Sequence, residues 1–438
     1  MLLNVADKAL WRLALPMIFS NITVPLLGLV DTAVIGHLDS PVYLGGVAVG
    51  ATATSFLFML LLFLRMSTTG LTAQAWGAKD PQRLARALVQ PLALALGAGV
   101  LIILLRLPLI DLALHIVGGS EAVLEQARRF LEIRWLSAPA SLANLVLLGW
   151  LLGVQYARAP VILLVVGNLL NIVLDLWLVM GLRMNVQGAA LATVTAEYAT
   201  LIIGLLMAKR VLTLRGVSLA MLKNAWRGDL RRLLALNRDI MLRSLLLQLC
   251  FGALTVFGAR LGSDIVAVNA VLMTMLTFTA YALDGFAYAV EAHSGQAYGA
   301  RDGSQLLEVW RAACRQSGMV ALAFALIYSL AGQYIIALLT SLPSLQQLAD
   351  RYLIWQTILP VVGVWCYLLD GMFIGATRGA EMRNSMAVAA AGFAVTLLTL
   401  PVLGNHGLWL ALAVFLALRG LSLALIWRRH WRRGTWFS

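Results

Sequence analysis

Long apolar runs alternate with short polar connections along almost the whole chain of 438 residues. A run of about 20 apolar residues is the length that an α-helix needs to cross the hydrocarbon core of a bilayer. The pattern predicts twelve spans, at residues 10–36, 44–72, 84–107, 126–154, 159–181, 187–208, 232–259, 265–292, 307–331, 351–376, 384–404 and 407–427. We therefore expect an all-α integral membrane protein.

The composition supports this class. Hydrophobic residues make up 61% of the chain and charged residues 12%, and the mean hydropathy is +0.87. A water-soluble domain of this length would leave too much apolar surface in contact with solvent. The N-terminus runs into the first span without a small-residue cleavage pattern, so we expect a retained span rather than a signal peptide.

The net charge of +13 lies in short loops rather than in one basic stripe, which argues against a nucleic-acid partner. Most of these basic loops fall on one side of the predicted spans. Because cytoplasmic loops carry an excess of Lys and Arg, we expect a multi-pass protein of a bacterial-type inner membrane with both termini in the cytoplasm.

The chain contains an internal repeat. Gln74-Ala-Trp-Gly-Ala-Lys-Asp80 recurs as Gln296-Ala-Tyr-Gly-Ala-Arg-Asp302, 222 positions later. Further matches at offsets of 221 or 222 are Pro139 with Pro360, Gly149 with Gly371, and Gly153 with Gly375. The repeat predicts two pseudo-symmetric six-helix bundles, at 1–208 and 232–438, joined by a basic cytoplasmic linker at 209–231, with a basic tail at the C-terminus. A cleft between such bundles would permit alternating access.

The first span carries an acid, Asp31. A carboxylate at membrane depth costs at least about 2.5 kcal/mol on insertion scales, so it usually faces a polar cavity, finds a partner or takes up a proton. Pro16 and Pro25 in the same span each remove a helix hydrogen bond. The sequence therefore predicts a bendable helix that bears a functional acid.

The fifth span carries Asn168, Asn171 and Asp175 at helical spacing, on one face of an otherwise apolar helix. Asp175 lies at a depth similar to that of Asp31. Burial and a neighbouring like charge both favour the protonated form of a carboxyl group, so such a pair suits proton or cation coupling. Glu197 in the sixth span would extend this network. The alternative is that these polar groups only join helices by hydrogen bonds.

The tenth span carries Asp370, which we interpret either as part of a second cation site or as the partner of Arg243 or Arg419 within the membrane. The apolar spans are rich in Met and aromatic residues, which are typical of adaptable pockets for lipophilic compounds. Candidate cavity residues are Met17, Asn21, Met59, Phe63 and Asn168. The alternative is that they pack helices or face lipid.

The three cysteines all lie in apolar stretches, and the five histidines are scattered. Neither set has metal-ligand spacing, and no nucleophile and base converge in the sequence. We therefore expect no metal, no cofactor and no enzymatic activity.

Taken together, these features resemble the multidrug and toxic compound extrusion (MATE) family, and most closely its DinF branch. The resemblance rests on the two six-span halves, Pro16 before Asp31, the Asn171-x-x-x-Asp175 pair and the turn at Gly295–Ala300. It covers essentially the whole chain. It implies a V-shaped pair of bundles around a central cleft and cation-coupled export of organic compounds. It also assigns Asp31, Asn171 and Asp175 to a cation site in the N-terminal bundle, with proton-linked bending of the first span at Pro16.

Within the family, Asp370 matches an acid that the NorM branch uses in a sodium site of the C-terminal bundle. The seventh span here lacks the glutamate that accompanies that acid, so the resemblance favours protons over Na⁺. We expect a monomeric antiporter that exports organic, lipophilic or cationic, compounds in exchange for protons, with membrane lipid as its surroundings. The alternative is a flippase for lipids or lipid-linked precursors, which a strongly cationic cavity would favour.

Overall fold

The computed structural model describes residues 4–38 and 40–438, and for residues 24–33 it describes the backbone alone. Within these ranges the regular elements are helices, and no strand occurs in them. The first ten are α1 (Val5–Gly36), α2 (Pro41–Leu60), α3 (Phe63–Gly77), α4 (Pro81–Leu104), α5 (Arg106–Val117), α6 (Glu121–Arg134), α7 (Ala138–Gly153), α8 (Ala159–Asp175), α9 (Asn185–Leu214) and α10 (Leu219–Asn224). The others are α11 (Leu230–Leu261), α12 (Ser263–Ala300), α13 (Gly303–Leu339), α14 (Pro343–Gly375), α15 (Gly379–Thr396), α16 (Leu400–Leu403) and α17 (Asn405–Arg433).

The described residues contain eleven helical segments that are long and apolar enough to cross a membrane. They coincide with the second to twelfth predicted spans. The first predicted span coincides with α1, which is 32 residues long. The prediction of an all-α, multi-pass membrane protein is confirmed.

The chain folds into two compact units. One unit is residues 19–234, and the other is residues 1–18 together with 235–438. The boundary between them passes through α1 two residues after Pro16. The bundle and linker boundaries that the sequence suggested, at 208 and 232, stay a prediction.

The two copies of the repeated motif form the same turn. Lys79 and Arg301 both have a φ of 54°, in the left-handed region that ends a helix. The next residue, Asp80 or Asp302, then caps the following helix, because its carboxylate accepts hydrogen bonds from backbone N–H groups in the first turn of α4 or α13. The sequence repeat is therefore a repeat of helix–turn–helix geometry.

Repeat-related glycines let two pairs of helices approach closely. A Cβ atom on Gly149 in α7 would lie 2.5 Å from the carbonyl oxygen of Arg65 in α3. A Cβ atom on Gly371 in α14 would lie 2.7 Å from the carbonyl oxygen of Ala287 in α12. Small residues at such positions let the backbones of membrane helices pack against each other. Each unit thus contains the same close helix pair.

Buried tryptophans anchor the hydrophobic cores of both units. Trp150 and Trp135 lie in two clusters of the unit formed by residues 19–234, and Trp409 lies in the core of the other unit. Their indole N–H groups donate, in that order, to the Leu84 carbonyl oxygen at 3.1 Å, to Thr54 Oγ1 at 2.9 Å and to Asn269 Oδ1 at 3.0 Å. Because each buried N–H has an acceptor, the large rings add apolar packing without an unpaired polar group.

We expect Gly149→Ala and Gly371→Ala each to destabilise the protein by about 1–3 kcal/mol, because the added methyl group overpacks a close backbone approach. Gly97→Ala is the matched control, since no atom lies within 4 Å of the Cβ position on this exposed residue of α4. The control should leave stability unchanged or raise it, because Ala favours helix. Thermal unfolding of the purified protein in detergent measures all three variants. Equal midpoints for Gly149→Ala, Gly371→Ala and Gly97→Ala would contradict the packing argument.

Candidate ion-coupling site

Helix α8 has one apolar exposed face and one polar inner face. The exposed apolar side chains are Val165, Leu169 and Val173, followed by Leu176 and Met180 in the next turn. With 3.6 residues per turn, the stripe of Asn168, Asn171 and Asp175 lies about 130° around the helix from them. The exposed face suits lipid, so the polar face is turned toward the rest of its unit.

The polar face ends in a buried carboxylate. Asp175 is 1% exposed and is the last residue of α8, after which the chain continues as a wider π-helical turn, Leu176–Gly181. Turns of this kind occur frequently at functional sites. One turn before Asp175, the side-chain oxygen of Asn171 is buried and accepts no hydrogen bond from a described residue. An unused buried acceptor beside a carboxyl group suits a proton donor, such as a protonated acid, water or a hydrated cation.

Glu197 lies on α9 and is held by a residue that the sequence analysis missed. Asn144 in α7 donates through Nδ2 to Glu197 Oε2 at 3.0 Å and to the Glu197 carbonyl oxygen at 3.1 Å. These hydrogen bonds tie α7 to α9 inside the unit formed by residues 19–234. The polarity of Asn144 within an apolar span was the signal that could have revealed it.

Asp31 and Pro25 lie outside the residues whose side chains the structure describes. Their backbone belongs to α1, which runs as one helix through both proline positions. The predicted pairing of Asp31 with Asp175 therefore stays a prediction, as does the bending role of Pro16 and Pro25.

Asp370 lies between two arginines in the second unit. Its Oδ2 accepts a hydrogen bond from Arg243 on α11 at 2.7 Å and another from Arg419 on α17. All three side chains are at most 10% exposed. The sequence offered Arg243 or Arg419 as alternative partners, whereas the carboxylate binds both.

Arg243 and Arg419 form the arginine pair around Asp370, and a second acid, Asp284, lies near the same group of residues. In addition, Arg243 Nε and Arg419 Nε are buried without an acceptor among the described residues. The Asp370 Oδ2 atom that would coordinate a cation already accepts hydrogen bonds from both guanidinium groups. The geometry favours the ion-pair interpretation of Asp370 over a cation site.

The start of α1 is fastened within the unit that contains residues 235–438. Asp7 pairs with Arg315 on α13 at 3.0 Å. Trp11 donates from Nε1 to Gln316 Oε1 at 2.9 Å, and its ring packs edge-on against Phe286 with 4.8 Å between centroids. The sequence analysis did not single out Asp7 or Trp11, and their position near the chain start gave no signal of these long-range interactions.

The five candidate cavity residues fall in both units. Met17 lies in the unit with residues 235–438 and is 2% exposed. The others lie in residues 19–234, namely Asn21, Met59, Phe63 and Asn168. Phe63 packs against the core around Trp150, as the helix-packing alternative expects, whereas Met59 is 45% exposed. A cavity that these residues share stays a prediction.

The described residues contain no group of three His, Cys, Asp or Glu side chains that could hold a metal ion. All three cysteines are free thiols.

The sequence model of the MatE family matches residues 16–177 and 240–403, which is one match in each half of the repeat. The chain belongs to the MATE family. It is 87% identical over 436 residues to DNA damage-inducible protein F of Escherichia coli (strain K12), covering 100% of this chain and 95% of that protein. This identity confirms the predicted DinF branch of the family.

More distant MATE relatives and structures also match almost end to end. The probable multidrug resistance protein NorM of Acinetobacter baylyi is 23% identical, over 96% of this chain and 94% of that protein. A solved structure of a MOP superfamily transporter from Pyrococcus furiosus superposes with a TM-score of 0.83 at 24% identity, covering 97% of this chain and 96% of that chain. A crystal structure of MATE in the bent conformation superposes with a TM-score of 0.84 at 22% identity, covering 98% of this chain and 96% of that chain, which confirms the MATE fold.

We expect Asp370→Asn to destabilise the protein by about 3–5 kcal/mol, because it leaves two arginines buried without their carboxylate. Asp350→Asn is the matched control on the same helix, since Asp350 is exposed and accepts a hydrogen bond from Gln333. Replacing the whole cluster, as Arg243→Met with Asp370→Leu and Arg419→Met, should recover most of the lost stability. Thermal unfolding measures these effects, and wild-type stability of Asp370→Asn would show that the carboxylate does not compensate the arginines.

Proposed function

We propose that this MATE transporter is a secondary antiporter that exports organic, lipophilic or cationic, compounds in exchange for protons. The proposed setting is a bacterial-type inner membrane with both chain termini in the cytoplasm. Family membership supports transport, and the relative from Acinetobacter baylyi carries the name of a multidrug resistance protein. The observation that carries proton coupling is the buried Asp175 on the polar face of α8, one turn from the unused oxygen of Asn171.

The chemistry of this pair suits a proton better than a metal cation. When Asp175 is protonated, its hydroxyl group becomes a donor, and residues one turn apart on a helix are neighbours. Asn171 Oδ1 is then the natural acceptor. When Asp175 loses the proton, its charge in a buried position demands hydration or a partner. The two protonation states therefore stabilise different surroundings, which is what a coupling site requires.

The arginine pair around Asp370 supports protons over Na⁺. A sodium site needs several oxygen ligands with net negative charge, whereas Asp370 Oδ2 already accepts hydrogen bonds from Arg243 and Arg419. We place ion coupling in the unit formed by residues 19–234 and give the Asp370 cluster a structural role in the other unit.

Helix α1 is the proposed link between ion and cargo. It carries Asp31, and the boundary between the two compact units falls two residues after Pro16. A proline removes a backbone hydrogen bond and so lowers the cost of bending a helix there. Protonation of Asp31 and Asp175 would shift the equilibrium between straight and bent forms of α1. Alternating access follows if the two forms expose the substrate site to opposite sides of the membrane.

In liposomes with an imposed pH gradient, the wild-type protein should move a fluorescent organic cation, and an imposed Na⁺ gradient without a pH gradient should not drive this movement. Asp175→Asn and Asp31→Asn should each reduce movement to the level of protein-free liposomes, because an amide cannot take up the coupling proton. Asp264→Asn is the matched control, since Asp264 is exposed in the first turn of α12.

Proton-driven movement by Asp175→Asn at the wild-type rate would overturn the assignment of the coupling site. Movement of the organic cation in response to the Na⁺ gradient alone would identify Na⁺, rather than the proton, as the coupling ion. Transfer of a fluorescent phospholipid between leaflets, without movement of the organic cation, would favour the flippase alternative. Unfolding midpoints of the variants in detergent separate loss of coupling from loss of fold.

A further inference from the structure

A basic pocket lies in the unit formed by residues 19–234, where α4 begins and the chain enters α11. The pocket is open to solvent, and the space between its lining residues, solvent at the mouth included, is about 440 Å³. Three arginines and one acid line it, namely Arg83, Arg86, Arg232 and Asp229. The remaining lining is largely apolar and comes from Leu71, Ala87, Gln90, Pro91 and Leu233. The pocket thus has a formal charge of +2 above an apolar floor.

The wall of this pocket is held in place by the polypeptide backbone. Gln90 Nε2 donates to the carbonyl oxygens of Gly228 at 2.6 Å and Trp226 at 3.2 Å. Gly228 and Asp229 both have positive φ, 87° and 52°, so the chain turns sharply there. Because hydrogen bonds hold this turn against α4, the shape of the pocket is set by the backbone as well as by its side chains.

The central arginine of the pocket, Arg86, is incompletely neutralised. It pairs with Asp229 at 3.4 Å, and the Asp229 side chain is 64% exposed, so the attraction is weakened by water. Arg86 Nε is buried and has no acceptor among the described residues. An anion with several oxygen atoms would supply that acceptor and balance the charge, as phosphate groups commonly do for arginine.

The position of the pocket matches the depth of lipid headgroups. Helix α4 has 24 residues and is about 36 Å long, which exceeds the hydrocarbon core of about 30 Å. Its first turns, with Arg83 and Arg86, therefore reach the headgroup region, on the side that the positive-inside pattern predicts to be cytoplasmic. Trp226 beside the pocket is 60% exposed, as is typical of aromatic residues at a membrane interface.

An exposed apolar stripe lies along α4, beginning two turns beyond Arg86. In line with Arg86 on the same helix face lie Ala93, Gly97, Val100 and Leu104, at successive steps of seven, four, three and four residues. All four are exposed. A free phosphate ion would not contact such a stripe, whereas the acyl chains of a phospholipid would cover it.

We propose that this pocket binds the phosphate group of an anionic phospholipid, whose acyl chains lie along the exposed face of α4. Basic pockets at the cytoplasmic ends of membrane helices are suited to such headgroups. The bound lipid would supply the missing acceptor of Arg86 and hold the chain segment before α11 against α4. This role is independent of the export cycle proposed above.

Native mass spectrometry of the purified full-length protein, titrated with phosphatidylglycerol, tests the proposal. Wild type should bind phosphatidylglycerol more tightly than phosphatidylcholine. Arg83→Gln with Arg86→Gln should raise the dissociation constant about fivefold for each arginine, hence about 25-fold together. The matched control is Arg428→Gln with Arg429→Gln, which removes the same charge from exposed positions of α17 and should leave binding unchanged.

Equal affinity of the Arg83 and Arg86 double variant and the wild type would overturn the proposal, as would equal binding of the two lipids by the wild type. Inorganic phosphate is the second ligand: displacement of the lipid by equimolar phosphate would identify a free-phosphate site and overturn the lipid assignment. If the double variant fails to fold, crosslinking of the wild-type protein with a photoreactive phosphatidylglycerol tests the proposal instead. Crosslinks within residues 81–104 or 226–233 support the site, and crosslinks confined to other segments refute it.

Discussion

A charge inside a bilayer has to be balanced within the protein, since hydrocarbon offers it neither water nor counter-ion. Asp370 meets this requirement by accepting hydrogen bonds from both Arg243 and Arg419. Asp175 differs from it, because it ends the polar face of α8 at a π-helical turn, one turn after an amide oxygen that accepts no hydrogen bond from a described residue. The two buried acids thus have different surroundings: Asp370 is held between two arginines, whereas Asp175 lies one turn from the amide of Asn171.

The internal repeat provides the framework for both sites. The Lys79 and Arg301 turns have the same left-handed φ, and Gly149 and Gly371 make the same kind of close backbone approach. The same short helix–turn–helix unit thus occurs in both halves, and the chemistry of the two sites comes from elements outside it. The arginine pair around Asp370 occurs in one unit, and the polar face of α8 occurs in the other.

Helix α1 contributes residues to both compact units. The ion pair of Asp7 with Arg315 fastens its beginning within one of them. Pro16 lies just before the change of unit. Proline removes a backbone hydrogen bond and so lowers the cost of bending a helix at that position, which is why the proposal gives α1 the coupling role.

The sequence by itself determined the spans, the repeat and the candidate acids. The length of an apolar run is sufficient to predict a span, because a membrane helix forms its backbone hydrogen bonds within itself, so each span is nearly a local property of the sequence. It also placed Asn171 and Asp175 on one face, since helical spacing is local. Only the tertiary structure decided that Asp370 binds two arginines and that Asn144 holds Glu197. These hydrogen bonds join residues that are far apart in the chain, and their partners depend on which helix faces meet, which no single segment of the sequence encodes.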